Sequence, residues 1–234
     1  MTYIEVMKEL ESLGTEQNRK IYTNHGADLE LFGVSTANIK LLAKKNKNDH
    51  KLGEKLLFSG NVDAIYLSQF IVDANRLTMM DLESLIESTN YYLILDNVVG
   101  TLAAKNRSIA FECLDKWINH GDKRYRQVAY SLYGLILSSY ESELIDKEHV
   151  YKYVSHVKEV IHDEENRVRY SMNNFLIIAA TTYQEFTAEF KVYAKEIGKV
   201  DVFMGKTACK VPYAFSYIEK IESMGNIGKK RKIK

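Results

Sequence analysis

A tyrosine and a carboxylate that could act together lie in residues 90–100, NYYLILDNVVG. Tyr92 and Asp96 are four positions apart, so on a helix they project from the same face. The apolar residues of the segment form its packing stripe, which leaves these two partly turned away from the core. An acid beside an aromatic ring can hold a cation. An Asp that pairs with a nearby Arg or caps a neighbouring helix has the same pattern, and periodicity alone favours that structural interpretation.

Basic residues recur where two helices are predicted to begin and again further along the chain. The three pairs are Arg124 and Arg126 in DKRYRQVAY, Arg167 and Arg169 in ENRVRYSM, and Lys206 and Lys210 in MGKTACKVP. Helix N-termini together with Arg side chains suit phosphate oxygens. A solvated surface charge is the default interpretation of any single one. Their recurrence at successive repeats favours a phosphate-binding surface.

Patterns typical of metal, cofactor or nucleophilic chemistry are missing from the sequence. There is no nucleotide-binding glycine loop, no zinc-protease motif and no nucleophile elbow. Cys113 and Cys209 are far apart, and neither has a Cys or His at metal-ligand spacing. We therefore expect two buried thiols, no metal site and no cofactor.

The elements that position these residues are predicted to be helices throughout. Apolar residues recur at helical spacing in almost every window, and strand-like alternation is limited to a doubtful stretch at 200–204. Helix start signals are Ser35, Thr78 with Asp81, Asn106 before a helix over 107–119, and Asp122. Short intervening loops make neighbouring helices antiparallel hairpins.

An internal repeat indicates how the hairpins are arranged. The motif YSL at 130–132 returns as YSM at 170–172, a period of 40 residues, and acidic residues precede both. That period is typical of HEAT repeats, whose helix pairs stack into a superhelix with a concave inner surface. The predicted fold is all-α, a curved α-solenoid of HEAT-like helix-pair repeats.

Composition predicts one helical domain over residues 1–226. Pro212 is the single proline, and no Pro/Gly/Ser-rich stretch could act as a linker. Residues 227–234 form a basic tail, expected to be a disordered, solvated end that could also touch phosphates non-specifically. The net charge is only +1, so any attraction to nucleic acid must be local. Without a signal peptide or an apolar membrane-spanning run, we expect a cytoplasmic monomer that has no membrane contact.

The residues, taken together, resemble the DNA alkylation-repair family, the AlkD-like HEAT-like-repeat DNA glycosylases. The resemblance rests on YTNHGADLELFGVS at 22–35, on NYYLILDNVV, and on the repeat starts around Arg126 and Arg167. MGKTACKVPYAFSYI at 204–218 is similar to a segment of one divergent branch. The match covers most of the chain. Between a first helix near 3–13 and Tyr22, however, the sequence is shorter than the family's stretch with a helix that approaches the minor groove.

The resemblance implies excision of cationic N3- and N7-alkylated purines from double-stranded DNA. In that mechanism an Asp stabilises the charge that develops on the sugar, while aromatic residues contact the backbone at the lesion. The family's catalytic Asp falls on Asp96 and its preceding aromatic on Tyr92. The expected DNA-binding residues are Tyr91, Arg124, Arg126, Arg167, Arg169, Lys206 and Lys210.

Two other site positions of the family are replaced in this sequence. The active-site Arg falls on Val128, and the second tryptophan falls on Asn174. We therefore expect a DNA-binding protein whose excision activity is weak or lost.

Two alternatives remain open. One is an active alkylpurine glycosylase that uses Asp96 with Arg126 as the donor and Tyr91 or Tyr125 as the aromatic. The other is a non-catalytic scaffold that binds branched DNA or a protein partner.

Overall fold

The structure, a computed structural model, describes residues 1–232. Lys234, part of the predicted tail, lies outside the described residues. The first helices are α1 Tyr3–Leu13, α2 Glu16–Asn24, α3 Thr36–Lys45, α4 His50–Leu57, α5 Val62–Ser68 and α6 Met79–Ser88. A π-helix, Leu93–Val99, then leads into α7 Gly100–Lys105 and α8 Ala110–Trp117. The last are α9 Lys123–Ser139, α10 Lys147–Val160, α11 Asn166–Thr182, α12 Gln184–Ile197 and α13 Ala214–Ser223.

The predicted all-α class is confirmed. Within residues 1–232 the only β features are isolated bridges, Gly14 with Val34 and Glu30 with Asn61. The doubtful strand at 200–204 is an irregular loop between α12 and α13. In the same described range, no helix is long and apolar enough to cross a membrane.

Three of the four predicted helix starts are confirmed by their capping bonds. Ser35 and Asp122 each accept a backbone N–H of the helix that follows, and Thr78 forms a capping box with Asp81. The start assigned to Asn106 is wrong. Its buried amide donates to the Leu77 carbonyl at 2.9 Å. Residues 107–109 form a turn, and α8 begins only at Ala110.

The described chain forms two compact units. Unit 1 comprises residues 1–111 together with 204–208, and unit 2 comprises 112–203 together with the described part of 209–234. A single domain over 1–226 stays a prediction. In unit 1 a core of aliphatic side chains from α1, α3, α4 and α5 joins the helices. Gly53 of α4 allows the backbone at Val72 to approach this helix closely, since a Cβ at Gly53 would lie 2.7 Å from the Val72 nitrogen.

Unit 2 contains neighbouring helix pairs whose contacts reproduce the sequence repeat. Ser131 of α9 donates to Ser171 of α11 at 3.2 Å, so the two copies of the Tyr-Ser motif meet across these adjacent helices. Gly134 permits this close packing, because a Cβ there would lie 2.8 Å from the Ile178 side chain.

The helices α10 and α12 are joined by polar contacts whose two partners are always the same number of residues apart in the sequence. The pairs are Lys147 with Glu185 at 2.5 Å, Tyr151 with Glu189 at 2.7 Å and Lys158 with Glu196 at 2.6 Å. Each pair spans 38 residues of sequence. A repeated helix pair is the unit of this fold, as the sequence predicts.

Candidate nucleic-acid interface

Asp96 lies in a π-helix, where the sequence predicts an ordinary helix, and Tyr92 immediately precedes this π-helix. Leu93–Val99 has this form and continues directly into α7. Short π segments within helices are frequently found at functional sites. A π-helix has more residues per turn than an α-helix, so residues four apart still lie about one turn apart. Both side chains are half-buried.

The loop after α2 holds the start of this π-helix. The Asp28 carboxylate accepts the Thr89 hydroxyl and, at 2.7 Å, the Asn90 backbone N–H. The His25 ring meets the edge of the Tyr92 ring, with centroids 6.1 Å apart. This loop is part of the YTNHGAD motif behind the family resemblance, and it positions the Tyr92 side of the site.

A buried carboxylate explains the FGV part of the same motif. Asp63 is 1% exposed and accepts the backbone N–H groups of Phe32, Gly33 and Val34 at 2.7, 3.0 and 2.8 Å. Gly33 has a φ of +83°, and a Cβ there would lie 2.6 Å from the Arg19 nitrogen, so only glycine fits. Sequence reasoning missed Asp63, since in the sequence it resembles any acidic residue in the first turn of a helix.

The loop around Lys206 joins this region of unit 1. The Lys206 backbone N–H donates to the Asn24 carbonyl at 2.9 Å. A Cβ on Gly205 would lie 2.2 Å from the same oxygen, and its φ is +79°, so the approach requires glycine. The exposed Lys206 is therefore held at Asn24, the last residue of α2. Asn24 directly precedes the His25 that contacts Tyr92.

Tyr91 is placed in the interior. It is 2% exposed, and its ring meets the edge of the Tyr92 ring at 5.3 Å. A contact between Tyr91 and DNA stays a prediction that this closed position does not favour.

Arg126, in unit 2, is held by four hydrogen bonds. Its Nε and Nη2 donate to the two carboxylate oxygens of Glu164 at 3.0 and 2.9 Å. Its Nη1 donates to the carbonyls of His120 and Gly121 at 2.8 and 2.9 Å. The side chain is 19% exposed and that of Glu164 is 15% exposed. The guanidinium thus ties the start of α9 to the loop before α11.

The other arginines differ in how they are held. Arg124 pairs with the helix-capping Asp122 at 2.6 Å, and this hydrogen bond lowers the pKa of the Asp122 carboxyl. Arg167 and Arg169 are half-buried at the start of α11. Lys210 is exposed in the loop before α13.

Comparison with known proteins identifies the family. A family model described as DNA alkylation repair enzyme matches residues 6–210. The chain belongs to the DNA alkylation repair enzyme family. The resemblance predicted from the sequence is therefore confirmed.

Listeria proteins are among the chain's relatives. Uncharacterized protein Lin0241 of Listeria innocua serovar 6a is 29% identical over 232 residues, which covers 97% of this chain and 100% of the relative. Uncharacterized protein Lmo0209 of Listeria monocytogenes serovar 1/2a is 29% identical over 226 residues, 94% of this chain and 97% of the relative.

A solved structure confirms the fold. It is described as belonging to a new family of proteins related to the HEAT-like repeat DNA glycosylases with affinity for branched DNA structures. The TM-score is 0.90 at 33% identity, over 99% of this chain and 98% of the other. The predicted HEAT-like repeat fold is thereby confirmed.

The two positions at which this chain replaces a site residue of the family lie in unit 2. Val128, at the position assigned to the active-site Arg, is fully buried, and Asn174, at the position of the second tryptophan, is half-buried. Tyr125, the aromatic of the alternative glycosylase, is 5% exposed and packs against the rings of Trp117 and His120. Val128 has no hydrogen-bond donor and Asn174 has no aromatic ring, so each replacement lacks the group that the family resemblance implies at its position.

Acidic, His and Cys side chains are dispersed. Over residues 1–232 no group of three or more is placed to hold a metal ion. Cys113 is buried, as predicted, whereas the prediction that Cys209 is buried is wrong. Cys209 is exposed in the irregular loop before α13.

Proposed function

We propose that this protein binds branched DNA and has weak or no base-excision activity. Membership of the DNA alkylation repair family and the likeness to a protein with affinity for branched DNA support the binding. The observation that supports the loss of excision is the state of Arg126. Its four hydrogen bonds to Glu164, His120 and Gly121 leave it poorly suited to replace the arginine that Val128 has displaced.

Excision needs more than the Asp96 carboxylate. A donor and an aromatic wall contribute electrostatic stabilisation and positioning, and losing one donor alone costs about 100- to 1,000-fold in rate. Val128 provides no donor where the arginine is expected, and Asn174 provides no aromatic wall where the tryptophan is expected. The Asp96 carboxyl group alone is too little for efficient cleavage of the glycosidic bond.

Binding is ascribed to local clusters of cations, since the net charge of the chain is only +1. Lys206 and Lys210 are exposed, and Arg167 and Arg169 stand at the N-terminus of α11, where backbone N–H groups also favour phosphate. These residues contact the DNA backbone and set affinity without reading sequence.

We propose that the protein acts as a cytoplasmic monomer.

The binding proposal is tested with a four-way junction, a flapped duplex and a linear duplex of matched sequence and length. Fluorescence anisotropy at several salt concentrations should show tighter binding to both branched DNAs, with affinity that falls steeply as salt is added. Equal affinity for branched and linear DNA would contradict the proposal. A DNA affinity that does not change with salt concentration would instead favour a protein partner for the exposed basic residues.

The excision proposal is tested with duplex DNA that contains N7-methylguanine. Base release by the wild-type protein should stay within about tenfold of the spontaneous rate, because two site groups that each contribute orders of magnitude are missing. Rapid release that Asp96→Asn abolishes would contradict the degraded site. If Arg126→Ala also abolished that release, the protein would be an active glycosylase that uses Asp96 and Arg126.

A further inference from the structure

A cleft of about 710 Å³ opens within unit 2, beside the half-buried Asn174. Residues of α11, α13 and the C-terminal tail line most of the cleft. This size is typical of sites that enclose a small organic ligand. Every residue that lines the cleft belongs to unit 2.

The tail is fastened along the cleft by backbone bonds. The Gly228 N–H donates to the Thr181 carbonyl of α11 at 2.8 Å, and the Arg231 N–H donates to the Ser138 carbonyl of α9 at 2.6 Å. The Lys230 ammonium donates to the Tyr140 carbonyl and lies 5.2 Å from the Tyr183 ring. These bonds fix the basic tail as a wall of the cleft.

The charged side chains that line the cleft are all basic. Lys220 of α13 and Lys229, Lys230 and Arg231 of the tail line it, and no Asp or Glu is among the described residues that do. Lys230 also interacts electrostatically with Glu141 and Glu143, which are not among the lining residues, and the excess of cations within the lining attracts an anion. The cleft is therefore suited to a phosphate group at its rim.

Aromatic, apolar and amide groups share the remaining lining. Tyr170 of α11 and the 45% exposed Tyr217 of α13 bring aromatic rings, and Ile221 adds an apolar side chain. Asn174 supplies an amide with donors and an acceptor. A base has a flat face that stacks on aromatic rings and an edge that forms hydrogen bonds.

We propose that this cleft binds one unpaired nucleotide, with its phosphate at the basic rim and its base beside Tyr217 and Tyr170. A nucleotide combines the anionic, polar and flat apolar groups that the lining complements. The same chemistry is offered by a free nucleotide and by a strand end at a DNA branch. We assign the cleft to the strand end, and this source rests on the proposed function.

The test uses a tetrameric oligothymidylate with a 5′-phosphate, 5-iodouracil as its first base and a 3′-fluorophore. Irradiation should cross-link the wild-type protein at Tyr170 or Tyr217, located by mass spectrometry. Tyr217→Ser and Lys220→Ser should each weaken binding at least about fivefold, since the first removes a ring on which a base stacks and the second removes a cation that neutralises phosphate. Lys152→Ser, an exposed lysine of α10 outside the cleft, is the charge-matched control and should stay within about twofold.

Several outcomes would overturn the assignment. Cross-links outside the cleft, or unchanged binding of the tetramer by both cleft variants, would remove the nucleotide site while leaving branched-DNA binding intact. Thymidine monophosphate that competes as well as the tetramer would overturn the strand end as the source. A wild-type protein that cross-links in the cleft but does not prefer branched to linear DNA would contradict the proposed function, while the cleft would still bind nucleotides.

Discussion

At the scale of single residues, charged side chains that look alike in the sequence have opposite roles in the fold. Arg126 and Asp63 are both enclosed by hydrogen bonds to the protein itself. Lys206 and Lys210 extend into solvent. Only the second pair is ready to meet phosphate without giving up bonds that stabilise the fold.

Asp63 is expected to contribute strongly to stability. Asp63→Asn replaces a carboxylate that accepts three backbone N–H groups with an amide that is a poorer acceptor and adds donors. The free energy of unfolding should fall by at least about 2 kcal/mol, because hydrogen bonds to charged groups are worth about 1.5–3 kcal/mol. Urea unfolding followed by circular dichroism measures the change. Glu54→Gln, at an exposed position of α4, should stay within about 0.5 kcal/mol of wild type. An equal effect of the two substitutions would contradict this role.

Residues with local partners were predictable from the sequence, and those with distant partners were not. Ser35, Thr78 and Asp122 bond to backbone groups two or three positions away, so their spacing reveals their caps. Arg126 pairs with Glu164 across 38 residues, and nothing in the sequence separates that pairing from a free surface charge. Spacing along the chain therefore predicts local capping partners, whereas the long-range partner of Arg126 is visible only in the structure.

At the scale of elements, helical periodicity predicted α-helices well because each helix buries one stripe. The π-helix at Leu93–Val99 was missed, since its apolar residues fit an ordinary helix equally well. Its start depends on the distant Asp28, which bonds to Thr89 and Asn90. The boundary between the two compact units carries no sequence signal, since no proline-rich or glycine-rich linker marks it.

The packing of α9 against α10 should make stability depend on pH. The Tyr133 hydroxyl lies 2.7 Å from His149 Nδ1, and burial lowers the pKa of His149. The folded state thus binds a proton less readily than the unfolded state, so stability is complete above the ordinary His value of 6.5 and falls as pH drops below it. Thermal unfolding should show a smaller loss of Tm between pH 7.5 and 5.5 in His149→Gln than in wild type. An unchanged pH dependence in the variant would exclude His149 as its source.

At the scale of the whole molecule, a net charge close to zero is compatible with DNA binding. The 32 basic residues are balanced by 31 acidic ones, so long-range attraction is weak and phosphate contacts depend on where cations are exposed. A protein of this kind releases counterions only from the phosphates that its local cations touch.

Removing two local cations should change the salt dependence of DNA binding in proportion. The combined variant Lys206→Ser and Lys210→Ser should reduce the slope of log affinity against log salt by about 2, roughly one for each lost phosphate contact. Anisotropy titrations on the four-way junction between low and moderate salt measure this slope. The charge-matched control, Lys8→Ser with Lys55→Ser, removes exposed lysines of α1 and α4 and should leave the slope unchanged. Equal slopes for the two double variants would show that Lys206 and Lys210 do not contact phosphate.

The different environments of the two cysteines give the wild-type chain a built-in labelling position. Cys113 is enclosed, whereas Cys209 is exposed and stands in the chain between Lys206 and Lys210. A maleimide dye should therefore attach at Cys209 without any engineered cysteine. The emission of that dye would report directly, in a single-molecule or stopped-flow experiment, when DNA arrives beside the two lysines and how long it stays.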